Sequence, residues 1–383
     1  MQYIFGFLLL VTSFHLGGDY TLYQWFLAVP ALGLVSLPLI WDLWVKKKKI
    51  KAIVVMGVYY LFCNAAYVAT FRLNRYSGNP SSTKVTLAYF SLDQLISILF
   101  LVIVLSIIRD HRSLLKALGY WCTANTFYTL NGYIEGDGIL KFGIGYSGFL
   151  NYASVNACAI AFTIPFLPTL KKKWLTCLVH TLAITACVLS KSSIPIGALL
   201  VTYGTLAMMR YASKRNAVMI VSLVATCIIC SLAIALYFDK TLFNDGFRFA
   251  AYRVFFKYWF YNADMFFGYG PGLHWPLAPT IQSISDFMVS HVDGGFSFLW
   301  LSTHNEYLQI LEEHGVTGIV FTLTLLAMCT YQFIKHRAVK EAACLAALAA
   351  SSLFNFPLRY FIGSFTAGVL LLAASNMEES NEV

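Results

Sequence analysis

The chain has 383 residues, of which 58% are hydrophobic, 16% aromatic and only 12% charged, against about 25% charged in an average soluble domain. A soluble fold of this length lacks the interior to hide so much apolar surface, so the composition excludes an ordinary globular domain and calls for a lipid solvent. The formal charge of +9 does not mark a nucleic-acid binder, because the basic residues form short clusters between apolar runs instead of one face or tail.

In chain order the apolar runs predict helical spans over residues 3–16, 20–44, 52–70 and 85–108, then 114–130, 149–170, 174–189 and 194–209. A ninth, 218–238, leads into a segment of about 70 residues, and 315–333, 342–354 and 360–374 complete the set. The expected fold is all-α: a polytopic transmembrane helix bundle of about twelve spans, with one large extracytoplasmic loop containing short helices. It divides into an N-terminal bundle (1–238), the loop (239–311), and C-terminal helices with a short tail (312–383). The tail from Ser375 is polar and is expected to fray.

Five basic clusters hold 16 of the 27 Lys and Arg: Lys46 to Lys49 with Lys51, Arg109 with Arg112, Lys171 to Lys173, Arg210 with Lys214 and Arg215, and Lys335 with Arg337 and Lys340. In the twelve-span arrangement all five fall on one side, the positive-inside pattern, which puts both termini in the cytoplasm. The nine cysteines lie in apolar runs and none in the long loop, so they define no disulfide framework. Cys227 and Cys230 have the spacing of a redox or metal pair, but their apolar setting reads as packing.

The long loop carries most of the unusual chemistry. Arg248, Arg253 and Lys257 precede ten aromatic residues between Phe255 and Trp275. If residues 247–261 form a helix, Arg253 and Lys257 share a face, and the helix is apolar around much of its circumference. An interfacial aromatic belt explains the rings, but connections beyond about 15 residues generally serve as lids or binding loops. Guanidinium groups at headgroup level match the phosphate of a phospholipid or of a lipid-linked diphosphate equally well. Gly268, Gly270 and Gly272 lack the Lys-Ser or Lys-Thr of a nucleotide loop, and a tight turn bringing backbone close to a neighbour is the better reading. The segment from His304 to Gly318 passes from a polar start into a helix expected to turn Tyr307, Leu308 and Leu311 inward. It leaves His304 at the outer mouth, as a proton acceptor or as a helix cap. A metal site from His274, Asp286, His291, Asp293 and His304 matches no ligand motif, so no metal and no cofactor are expected.

Several of these segments together resemble the bacterial membrane O-antigen ligases and O-antigen polymerases. His304, Asn305, Tyr307, Leu308, Glu313, Gly315 and Gly318 match that family's histidine-asparagine segment, and Arg253 resembles the arginine preceding its aromatic stretch and glycine turn. Residues 151–165 resemble its asparagine-bearing span, and Phe356, Pro357, Leu358 and Arg359 a late motif of polymerase-like members. Where many members have a serine-arginine pair, this chain reads Ser190, Lys191, Ser192, Ser193, and a lysine cannot reproduce the bidentate fork.

The resemblance implies a metal-independent glycosyltransferase of the inner membrane that moves a glycan from an undecaprenyl diphosphate carrier to a sugar hydroxyl. The acceptor is another glycan for a polymerase, slightly favoured by the late motif, or a lipid A core for a ligase. By the same resemblance His304 assists the acceptor hydroxyl and Arg253 holds the diphosphate, with Lys191, Arg248 and Arg359 as further ligands. The partners are then carrier-linked glycan, acceptor and membrane lipids, with no nucleic acid. A transporter or flippase of lipid-linked sugars is the competing class. It calls for ionisable residues deep in several spans and for repeated halves, and the chain has no internal repeat.

Overall fold

The computed structural model describes residues 111–134, 153–190, 192–211, 252, 255–261, 263, 265–268, 305–355, 357–359 and 361–379. The expected spans before residue 109 and over 218–238 lie outside the described residues. What is described is all-helical: α1 (His111–Ile134), α2 (Ala153–Thr163), α3 (Lys173–Leu189), α4 (Ser193–Tyr211), α5 (Glu306–Lys335), α6 (Val339–Ser352) and α7 (Phe361–Glu379).

Each of these helices covers an expected apolar run, with three differences. The run 149–170 is not one long helix: α2 stops at Thr163 and a single 3-10 turn, Ile164–Phe166, follows with Pro165 in its first positions. Proline has no N–H for an α-helical bond, so the helix tightens and ends there. Helix α7 runs on to Glu379 instead of fraying at Ser375, and Asn376 Nδ2 lies 3.0 Å from His111 Nδ1 on α1. Helix α5 begins nine residues before the expected Gly315, for reasons given below.

The described residues belong to two compact units: 111–211 with 326–379, and 252–268 with 305–325. In the first, α4 packs against α2 and α6, and α1 against α2, α3 and α7. Side-chain bonds fix the directions. Cys122 and Asn125 on α1 reach Ile160 and Asn156 on α2, Cys187 near the end of α3 reaches Ala157, and Thr202 in the middle of α4 reaches Ala161. Successive helices from α1 to α4 therefore alternate in direction. Asn355 after α6 lies 3.4 Å from Ser154 at the start of α2, so α6 ends where α2 begins. As a result Arg112, Lys171 to Lys173, Arg210 and Lys340, all exposed, collect at one end of this unit.

Large apolar side chains face outward, and several polar side chains lie inside beside an apolar core. Leu200, Trp174 and Val188 are 71%, 61% and 52% exposed, while Asn125, Asn156, Thr163, Thr202 and Thr366 are buried. The hydroxyls of Thr163, Thr324, Thr330 and Thr366 each donate to the carbonyl four residues back in their own helix, and Thr202 lies within bonding distance both of Ala198 C=O and of Ala161 C=O on α2. Helices α4 and α5 are long and apolar enough to cross a membrane.

Between α1 and α2, Asn125 Nδ2 donates to Asn156 Oδ1 at 2.8 Å, and Asn156 Nδ2 donates to Thr129 Oγ1 at 3.1 Å. Asn156→Ala should strip Asn125 of that acceptor and cost about 1–2 kcal/mol, the range for polar contacts between helices in lipid. Thermal denaturation of the detergent-solubilised protein checks it, and an unchanged midpoint would mean the pair is spectator polarity.

Candidate functional site

The His304 segment owes its helix to the residue after the histidine. Asn305 caps α5: its side-chain oxygen accepts the Leu308 N–H at 3.0 Å, and its carbonyl accepts the Gln309 N–H at 3.0 Å. An asparagine at this position satisfies a donor that the first turn leaves open. The capping role considered for His304 therefore falls to Asn305.

The face buried by this segment is the polar one. Glu306, Gln309, Glu312 and Glu313 are at most 4% exposed, whereas Tyr307, Leu308 and Leu311 are only half-buried. The tyrosine and leucines are partly covered, and the expectation that they alone turn inward left out the polar residues that are covered more fully. Gln309 Nε2 donates to Glu313 Oε1 at 3.2 Å, one helical turn along. Buried carboxyl groups are tolerated only with hydrogen bonds or opposite charge around them, so this stripe is a polar face that demands partners.

Helix α5 breaks at Gly315, whose φ of 66° and ψ of −164° are outside the range of ordinary L-residues. The break frees the N–H groups that begin the second half of the helix, and the aromatic loop supplies their acceptors. Met265 C=O accepts from Val316 N at 3.0 Å, and Phe266 C=O accepts from Thr317 N at 3.3 Å and from Thr317 Oγ1 at 2.6 Å. On the loop side Gly268, also at φ 66°, lies so close to the backbone of Glu312 and Glu313 that a side chain has no room, and Gly315 is pressed equally against Phe266 and Phe267. The reading of Gly268 as a point of close backbone approach is borne out. Its partner is the helix break in the histidine-asparagine segment.

Upstream, residues 255–261 are helical, with Tyr252, Phe255 and Trp259 buried and Phe256, Phe260, Tyr261 and Lys257 exposed. Phe256 stacks on Phe260 with centroids 6.5 Å apart, and Phe260 meets Tyr261 edge-on at 5.4 Å. The described part of the expected 247–261 helix is thus apolar on most sides, with Lys257 held outward.

His304, Arg253, Arg248 and Lys191 themselves lie outside the described residues, as do the histidines and aspartates weighed as metal ligands. Arg359 closes a 3-10 turn, Pro357–Arg359, between α6 and α7. That turn and Ser190 and Ser192, the neighbours of Lys191, sit at the same end of the first unit, opposite the exposed basic residues, because α3 and α6 both run toward that end. Sequence reasoning missed the buried Glu306, Gln309, Glu312 and Glu313 face, although its i, i+3, i+6, i+7 spacing was a visible signal. No protein-family model matches the chain, and no curated protein matches it.

Proposed function

We propose that the chain is a multi-pass protein of the bacterial inner membrane, with about twelve spans and both termini cytoplasmic, that transfers a glycan from an undecaprenyl diphosphate carrier to an acceptor sugar hydroxyl. The acceptor hydroxyl oxygen bonds to the anomeric carbon, the bond from that carbon to the diphosphate breaks, and His304 takes the hydroxyl proton. Arg253 stabilises the departing diphosphate as a fixed cation, aided by Lys191, Arg248 and Arg359. The observation that supports this reading best is the crossing of Gly268 with Gly315. It ties the aromatic loop that follows Arg253 to the helix that follows His304 through backbone hydrogen bonds, so the two motifs form one local structure. The large apolar side chains on the outside of the helices, such as Leu200, Trp174 and Val188, support the membrane part.

Polymerase is the preferred acceptor class, because Phe356, Pro357, Leu358 and Arg359 resemble the late motif of polymerase-like members. Deleting the gene should collapse the cell's glycan ladder to a single repeat. The wild-type chain should restore it, while His304→Ala and Arg253→Ala chains, present in the membrane at wild-type amounts, should not. A bare lipid A core with long carrier-linked chains accumulating would reassign the activity to ligation. Full ladders with both variants would overturn the mechanism.

A further inference from the structure

Away from that segment, α3 and α4 form an open groove of about 360 Å³ lined by Thr176, Cys177, His180, Thr181, Ile184 and Tyr203. Its walls are apolar apart from one hydrogen-bonded pair, His180 Nδ1 and Tyr203 Oη, 3.0 Å apart. When the phenol donates to Nδ1, the imidazole keeps its Nε2–H for something in the groove. The two threonines have none to offer: Thr176 Oγ1 is engaged with the backbone of Leu170, and Thr181 Oγ1 donates to Cys177 C=O.

The groove points at the basic end of the unit. Lys173 lies one and two turns before Cys177 and His180 on the same face of α3, and Arg210 lies two turns beyond Tyr203 on α4. Both cations are exposed, and so is Lys340 at the start of α6, at the same end of the unit. The acid nearest this rim in sequence, Glu341, is half-buried. At a rise of 1.5 Å per residue, the His180–Tyr203 pair lies about 10 Å inside the rim. A bilayer's headgroup layer is roughly 5–8 Å thick on each side, so the pair sits where ester groups give way to acyl chains.

We propose that this groove is a binding site for one anionic phospholipid of the leaflet on the basic side. Its phosphate rests among Lys173, Arg210 and Lys340, an ester carbonyl accepts the His180 Nε2–H, and an acyl chain follows Ile184. Charge complementarity selects the headgroup, and the histidine fixes the depth. The site requires only that α3 and α4 lie in a membrane, and it stands apart from the glycan-transfer reading.

The test is native mass spectrometry of the full-length protein, solubilised in a neutral detergent and titrated with phosphatidylglycerol or with phosphatidylcholine of the same chains. The wild type should retain one more phosphatidylglycerol than His180→Leu does, and should prefer it to phosphatidylcholine. Lys340→Gln should weaken phosphatidylglycerol binding about fivefold, the equivalent of about 1 kcal/mol per interfacial cation, and leave phosphatidylcholine unchanged. Tyr203→Phe, which removes one oxygen without disturbing packing, should weaken the same adduct by freeing the imidazole to turn. Equal retention of the two lipids, or the same number of phosphatidylglycerols on His180→Leu and Tyr203→Phe as on the wild type, would overturn the proposal.

Discussion

Gly315→Ala is expected to abolish the folded state of the α5 break, and Gly268→Ala to do the same from the other side. Both glycines have φ of 66°, and each would drive its new methyl group into backbone, of Phe266 and Phe267 in one case and of Glu312 and Glu313 in the other. Backbone cannot swing aside as a side-chain tip can. The strain of the dihedral, about 1–3 kcal/mol, adds to the loss of the Val316 and Thr317 hydrogen bonds, at about 1 kcal/mol each. A total of roughly 3–5 kcal/mol is a large share of the 5–15 kcal/mol that holds a typical protein together. Gly197→Ala and Gly204→Ala are the matched controls, since both positions open onto empty space. An alanine at either position of α4 should be neutral or stabilise by up to about 1 kcal/mol. Size-exclusion profiles after heating would rank the four variants, and a Gly315→Ala protein as heat-resistant as Gly204→Ala would refute the crossing.

The second large effect should come from the buried polar face of α5. Glu313→Leu removes the acceptor of Gln309 Nε2 and leaves that donor buried and unsatisfied, at a cost of about 1–3 kcal/mol. Replacing both partners, as Gln309→Leu with Glu313→Leu, removes the orphaned donor as well and should recover much of the loss, so the two changes should be clearly non-additive. Glu313→Gln preserves shape and an acceptor oxygen, and should keep most of the stability. Additive single and double changes would show that Gln309 and Glu313 do not act as a pair.

Much of the helical layout was legible because a run of apolar residues has to be a helix if it is to satisfy its own backbone in lipid. The residues 174–189 and 194–209 returned as α3 and α4 with ends moved by at most two positions. Local chemistry explains where boundaries moved. Pro165 was readable as a helix stop, and Asn305 as a helix start, from residue type alone. The inward face of α5 was misread because the familiar rule, leucine in and glutamate out, assumes water outside. Where a helix borders lipid or a polar interior, that rule loses its sign, and Glu306, Gln309 and Glu313 go in together. Contacts between distant residues left no trace in the sequence. Gly268 and Gly315 each announced a special backbone, but not that they were opposite each other. Nothing about His180 or Tyr203, on different helices, suggested a pair.

The threonines that bond to their own helices, and the asparagines that do not, imply an order of assembly. A helix whose hydroxyls are already closed on its backbone can enter a bilayer alone, with no polar debt to settle elsewhere. Helices α1 and α2 differ, since Asn125 and Asn156 are satisfied through each other. On the membrane reading proposed above, they would best be inserted as a hairpin, entering lipid with the amide bond already made. The later helices, α6 and α7, would then dock on a partly built surface, with Asn355 reaching Ser154 as a closing latch.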